Sequence, residues 1–136
     1  MNQNPAVALL CASVNSISHE AMNALPLRRY EGPVHVVAGA PDLAPAMDDI
    51  LRERVVGFDT ETRPAFKPGE SYLPSIAQFA TASAVYLFQV QQQDLFDAMR
   101  AILASENVIK VGVSVTDDLR NLKKLFEFDA RSVLDL

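Results

Sequence analysis

The sequence is poor in cysteine, and this scarcity excludes several kinds of covalent and metal chemistry. Its 136 residues include one cysteine, Cys11. A single thiol cannot form a disulfide within the chain, and it cannot build a zinc site from cysteine ligands. Because proteins of reducing compartments show this cysteine usage, we expect a cytoplasmic location.

Basic charge and long apolar runs are also scarce. The formal net charge is −5, which argues against a nonspecific, basic nucleic-acid-binding protein. An acidic enzyme can still meet phosphates through metal ions, because the metal supplies the positive charge. The apolar run at residues 6–12 lacks a basic segment before it and is far too short to span a bilayer. We therefore expect neither a secretory signal nor a membrane contact.

The remaining composition is that of a globular α/β domain. Hydrophobic residues make up 49% of the chain and charged residues 21%. The periodicity predicts the following elements in order: a short helix at 16–25, a strand at 34–38, a helix after residue 42, strands at 55–61, 75–81 and 84–90, a helix from 94, a strand at 108–113, a helix from 116 and a strand from 132. The short gap at residues 82–83 predicts a hairpin and hence a three-stranded meander. This order implies a mixed sheet with helices on its faces, at 31–136, after an N-terminal extension at 1–30.

Two carboxylates stand at the end of the strand predicted at residues 55–61. Asp59 and Glu61 are two residues apart, so strand alternation directs both side chains to one face. Their Cα atoms are expected about 7 Å apart, and like charges at that distance favour a bound divalent cation with oxygen ligands. Acids are also common at strand ends, so the pair alone does not decide between a metal site and a solvated strand end.

A second acidic pair, Asp117 and Asp118, opens the helix predicted from Thr116. Acids stabilise a helix N-terminus, and Thr116 is a plausible cap, so a purely structural role explains the pair as well. Ligands in α/β folds bind at the carboxyl ends of strands, however, and this helix follows such an end. We therefore expect one carboxylate to approach the pair on the neighbouring strand.

Together these segments resemble the DEDD 3′–5′ exonucleases, in the branch of ribonuclease D and the exonuclease domain of the Werner helicase. Residues 55–61 resemble the first motif, a strand that ends in Asp-x-Glu. Residues 74–79 resemble the next strand, which ends near Gln, and residues 110–119 resemble the second motif. The resemblance extends over roughly residues 31–136. It implies an RNase H-like sheet, an antiparallel meander continued by parallel strands with flanking helices.

The same resemblance implies hydrolysis of nucleic-acid phosphodiesters from the 3′ end with two Mg²⁺ or Mn²⁺ ions. By position, Asp59 would bridge both ions and Glu61 would hold one of them near the 3′ end. Asp118, rather than Asp117, matches the metal acid of the second motif, which helps to hold the second ion.

Substrate contacts are implied more broadly around the site. Phe58 and Thr60 are expected beside the substrate, with the backbone of Thr60 contacting the terminal nucleotide. We also expect the loop at 63–74, through Phe66 and Tyr72, to stack a base.

The family's third motif, a helix with Tyr-x-x-x-Asp or His-x-x-x-Asp, supplies the general base and a fourth metal acid. None of the three tyrosines of the chain is followed by aspartate four residues later. We therefore expect a C-terminally truncated exonuclease domain that is inactive or weak by itself. One alternative is a non-catalytic interaction module, in which self-association or a partner covers the sheet. Another is a different RNase H-like hydrolase with another third acid. The sequence does not discriminate RNA from DNA.

Overall fold

The computed structural model describes residues 16–136, and the contacts divide the chain into two units, Met1–Glu31 and Gly32–Leu136. Cys11 and the apolar run at residues 6–12 lie outside the described residues. In the first unit, helix α1 spans His19–Asn23, and the side chain of Ser18 accepts a hydrogen bond from the N–H of Ala21 at 3.1 Å. The prediction of a helix over 16–25 was too long, because no residue of α1 is buried and only the capped turn remains.

The second unit contains six strands and three α-helices. They are β1 Val34–Val37, α2 Ala40–Arg52, β2 Val55–Glu61, β3 Ile76–Ala80, β4 Val85–Gln89, α3 Phe96–Ala104 after a 3₁₀ turn at Gln93–Leu95, β5 Ile109–Gly112, α4 Val115–Leu122 and β6 Val133–Asp135. The predicted order of elements is confirmed. Helix α2 begins earlier than expected, so Pro45 lies inside the helix rather than in its first turn.

The sheet is mixed, in the strand order β1-β4-β3-β2-β5-β6. Strands β2, β3 and β4 form the expected antiparallel meander, with Asp59 opposite Gln78 and Phe58 opposite Phe79. Strand β1 runs parallel to β4, β5 parallel to β2, and β6 parallel to β5. The predicted α/β, RNase H-like sheet with parallel strands beside a meander is therefore confirmed.

One face of the sheet carries the hydrophobic core, and strand alternation decides which residues reach it. Val56 and Phe58 of β2 are 1% and 4% exposed, whereas Asp59 and Glu61 point to the opposite face and are exposed. The core lies between this face and the helices. Its largest buried apolar side chains are Phe79, Phe88, Ile50, Leu95, Met99, Ile102, Leu103 and Leu122. Each contributes about 1.5–3 kcal/mol of burial free energy, which stabilises the packing of the helices on the sheet.

Lys110 is the buried charged residue of this core, with no exposed surface. Its Nζ donates to the backbone oxygens of Ser105 at 2.7 Å and Val108 at 2.8 Å. Ser105 caps the C-terminus of α3, so the lysine ties that helix end to β5. Burial lowers the pKa of Lys110 to about 8.

Gly112 ends β5 and lies against the backbone of Phe58 in β2. A Cβ atom at this position would lie 2.7 Å from Cγ2 of Val115 and closer still to the backbone oxygen of Phe58. Only glycine allows this approach, which brings the start of α4 beside the end of β2. Within residues 16–136, no helix has both the length and the apolar character needed to cross a membrane.

Candidate metal centre

The exposed end of β2 presents the two predicted carboxylates on one face. Asp59 Oδ1 accepts a hydrogen bond from the N–H of Thr60 at 2.9 Å. Glu61 Oε1 accepts one from Nε2 of Gln78, on the adjacent strand, at 3.3 Å. The strand backbone and the neighbouring amide therefore orient both carboxylates while leaving their remaining lone pairs to solvent or a ligand.

Asp118 reaches the same strand from the first turn of α4. Thr60 Oγ1 donates to Asp118 Oδ1 at 2.6 Å, a short bond of the charge-assisted kind. Burial raises the pKa of Asp118, and the nearby negative charges of Asp59, Asp117 and Asp135 raise it further, against the lowering effect of the bond from Thr60. The site therefore has a negative potential that a bound cation would relieve.

Asp135, at the end of β6, is a further acid near the site and was not among the predicted ligands. Its Oδ2 accepts hydrogen bonds from the N–H of Thr116 at 3.1 Å and from the Thr116 hydroxyl at 2.9 Å. These bonds hold the pKa of Asp135 below its usual range. Thr116 is therefore not the helix cap that the sequence indicated: Ser114, in the left-handed region with φ 58°, occupies that position. A strand that ends in aspartate was the available signal.

The three predicted metal ligands are neighbours, but they do not meet in a formed ligand set. Among residues 16–136 no group of three or more His, Cys, Asp or Glu side chains is placed to hold a metal ion. Asp118 contacts Thr60, whose side chain points to the core face, whereas Asp59 and Glu61 point to the open face. The donor chemistry fits a hard divalent cation, because all three side chains offer carboxylate oxygens.

Phe58 and Thr60 occupy places that restrict their predicted contacts with substrate. The ring of Phe58 is 4% exposed and lies 5.3 Å from the ring of Phe79, so its side chain belongs to the core. The hydroxyl of Thr60 is engaged by Asp118. Substrate contact by these residues therefore stays a prediction for their backbone alone.

The second unit of the chain matches a known protein family over almost its whole length. A family model described as a 3′–5′ exonuclease matches residues 34–136, which include every strand and helix of the second unit. The chain belongs to the 3′–5′ exonuclease family. The predicted membership of the DEDD exonucleases is thereby confirmed, and the two motifs that the sequence predicts lie at the end of β2 and the start of α4.

Individual proteins that are similar to this exonuclease-family chain support the same family assignment. It is 27% identical over 118 residues to the mouse bifunctional 3′-5′ exonuclease/ATP-dependent helicase WRN, a match that covers 82% of the chain and 8% of that protein. The structure of Trypanosoma brucei RNase D in complex with RNA U12 superposes with a TM-score of 0.64 at 20% identity, over 77% of this chain and 38% of that one. The EXD2 exonuclease domain soaked in Mg and GMP gives a TM-score of 0.63 at 22% identity, over 76% and 56%.

The chain spans only part of each of these proteins, from 8% of WRN to 56% of the EXD2 domain. At identities below 25%, the two structural matches establish the fold of the exonuclease-family chain and not its reaction. Activity, substrate and metal content therefore belong to the proposal that follows.

Proposed function

We propose that this chain provides the first two motifs of a 3′–5′ exonuclease that hydrolyses nucleic-acid phosphodiesters from the 3′ end by a two-metal-ion mechanism. Asp59, Glu61 and Asp118 are the proposed ligands of Mg²⁺ or Mn²⁺. One observation carries the proposal: the hydrogen bond from Thr60 to Asp118 joins the acid of the second motif to the strand of the first.

The contacts of each residue in the site indicate its role in the proposed reaction. Bound divalent cations would lower the pKa of the attacking water and stabilise the leaving 3′ oxygen. Asp59 and Glu61 offer oxygen ligands on the open face of β2, and Gln78 fixes the orientation of Glu61. Thr60 holds Asp118 against the strand that carries this pair, and Asp135 anchors the first turn of the helix that carries Asp118.

The solved relatives support both halves of the proposal. RNase D of Trypanosoma brucei was solved with RNA, and the EXD2 exonuclease domain was soaked in Mg and GMP. A strand of nucleic acid and a divalent cation are therefore compatible with this fold. Contacts to the 2′ hydroxyl would decide between RNA and DNA as the substrate.

The 136 residues alone are expected to bind a divalent cation weakly and to be inactive or nearly so, because they lack the Tyr-x-x-x-Asp spacing of the third motif. Steady Mn²⁺-dependent nucleotide release by the purified chain, lost on Asp59→Asn, would contradict this part of the proposal.

A polypeptide extended by a helix of the third-motif type should release 3′-terminal nucleotides in Mn²⁺. Asp59→Asn should abolish the release, whereas Asp48→Asn, a change at an exposed acid on α2, should leave it intact. Release that survives Asp59→Asn would refute the assignment of the site.

A second candidate function is a non-catalytic interaction module. The open face of the sheet favours it, since Val34 and Val36 are each 53% exposed and Val55 is 51% exposed. Self-association or a partner protein would cover these side chains. This role predicts that Asp59→Asn has no effect in cells, whereas a charged substitution at Val36 does.

A further inference from the structure

The loop between β2 and β3, residues 62–75, is held in one shape at three places. At its base, the N–H of Ser75 donates to the backbone oxygen of Glu61 at 2.8 Å. Midway, Nη2 of Arg63 donates to the hydroxyl of Tyr72 at 3.0 Å. At its tip, the N–H of Glu70 donates to the oxygen of Lys67 at 3.2 Å across a Pro-Gly turn. The loop therefore presents its side chains from a defined scaffold fixed to the strand that carries Asp59 and Glu61.

The turn at the tip has the residues that its geometry requires. Gly69 has φ +84°, and Pro68 precedes it, which is the pattern of a type II turn. No heavy atom lies within 4 Å of the position that a Cβ on Gly69 would take, so the glycine is needed for its backbone conformation and not for space. The turn thus reverses the chain directly after Phe66.

Arg63 is a positively charged side chain that is held in position and available to bind an external partner. Its guanidinium carbon lies 4.0 Å from the centre of the Tyr72 ring, so stacking and a hydrogen bond both restrict it. Within residues 16–136 it forms no salt bridge with an acid. One of its five N–H donors is used by Tyr72, and the planar fork that remains matches the oxygens of a phosphate.

Phe66 supplies an exposed aromatic ring three residues after this cation in the same loop. It is 85% exposed and directly precedes Lys67, which begins the turn at the tip. An isolated exposed aromatic residue is unremarkable on a protein surface. Here it lies between two cations in a loop with one acid, Glu70, although the chain as a whole has a net charge of −5. Cations interleaved with an exposed ring are typical of surfaces that bind single-stranded nucleic acid.

We propose that the loop at residues 62–75 binds single-stranded nucleic acid, with Arg63 contacting a backbone phosphate and Phe66 stacking on a base. The loop begins directly after Glu61, so a strand bound there passes beside the acids at the end of β2. The occupant is single-stranded because a ring can stack only on a base whose face is open. This inference rests on the proposed function and adds a binding surface outside the metal ligands.

The absence of tryptophan from the sequence permits a direct test. Phe66→Trp introduces a single indole at the proposed stacking position, and its fluorescence is followed during titration with a mixed-sequence single-stranded oligonucleotide in EDTA, which prevents hydrolysis. We expect saturable quenching. The control is Leu27→Trp, at a residue that is 100% exposed in the first unit, and it should show none. Unchanged fluorescence of Phe66→Trp would overturn the proposal.

The role of Arg63 is tested by the affinity for a fluorescein-labelled form of the same oligonucleotide. Arg63→Gln should weaken binding about five- to tenfold and reduce the salt slope by about one. Tyr72→Phe keeps the ring but removes the hydroxyl that holds Arg63, so it should weaken binding less. Lys124→Gln removes a positive charge on the helical side of the unit and is the matched control.

Equal losses for Arg63→Gln and Lys124→Gln would show nonspecific attraction and refute the proposal. Melting curves of all variants confirm folding, and no loss of structure is expected, because every substituted position except the half-buried Tyr72 is exposed. The outcome is separable from that of the exonuclease proposal, which is tested by nucleotide release and by Asp59→Asn. If the extended polypeptide releases nucleotides normally but Arg63→Gln leaves the affinity for the oligonucleotide unchanged, the proposed role of the loop is refuted. The exonuclease proposal is then unaffected.

Discussion

Replacement of Thr60 by valine tests the contact that joins the two motifs. Valine keeps the size and the β-branched shape of threonine but removes the hydroxyl that donates to Asp118 at 2.6 Å. The carboxylate of Asp118 then loses its donor in a half-buried position, and its pKa, already raised by burial, should rise further. The attachment of α4 to β2 should weaken, and the free energy of unfolding of the unit should decrease.

The size of the effect follows from the bond. A hydrogen bond to a charged group contributes about 1.5–3 kcal/mol, and partial solvent access at Asp118 lowers our expectation to about 1–2 kcal/mol. The folded unit Gly32–Leu136 has about 100 residues, for which 1 kcal/mol corresponds to about 5 °C in the melting temperature. We therefore expect Thr60→Val to lower Tm by about 5–10 °C. Thr62→Val, an exposed position just beyond β2, is the control and should change Tm by less than about 2 °C.

A double-mutant cycle separates this bond from other consequences of the substitution. Thr60→Val, Asp118→Ala and the double variant are compared by urea denaturation monitored by circular dichroism. The coupling free energy should be about 1–2 kcal/mol. A coupling below about 0.5 kcal/mol would show that the two side chains act independently, and the proposed link between the motifs would be wrong.

Three further substitutions test contacts that hold the fold together, each by chemical denaturation. Gly112→Ala should destabilise by about 1–3 kcal/mol, because the new methyl group meets the backbone of Phe58; an unchanged midpoint would contradict the close approach. Lys110→Met leaves two carbonyls without their donor and should cost about 1–3 kcal/mol at pH 7. Since burial lowers the pKa of Lys110 to about 8, the unfolded state binds more protons between about pH 8 and 10.4, so wild-type stability should rise with pH relative to Lys110→Met; parallel profiles would refute this. Asp49→Ala removes the acceptor of hydroxyl groups from Tyr86 and two residues of the β3–β4 turn and should cost about 1–3 kcal/mol, whereas a neutral result would show that the turn needs no anchor.

The order of elements was predictable because each has a strong local signal. Strand alternation in β2 placed Asp59 and Glu61 on one face, and the structure confirms that both are exposed there. The two motifs predicted the family correctly, because their order and separation are more specific than either segment alone. The predicted cytoplasmic location remains a prediction.

The contacts that depend on how elements pack were not predictable. The bond from Thr60 to Asp118 depends on how α4 crosses β2, and the role of Asp135 depends on β6 lying beside β5. Lys110 lies in an apolar stretch of the sequence. No neighbouring residue indicates that its amine donates hydrogen bonds to the backbone oxygens of Ser105 and Val108. The length of α1 was overestimated because burial, which periodicity only implies, is missing there.

The most direct test of the central claim is site-resolved binding of Mn²⁺ by nuclear magnetic resonance. The paramagnetic ion broadens the amide signals nearest to it. We expect the signals of residues 59–61 and of the first turn of α4 to broaden first, and Asp59→Asn to remove the effect while Asp48→Asn preserves it. Broadening that begins elsewhere, or that persists in Asp59→Asn, would contradict the assignment of this site to divalent metal.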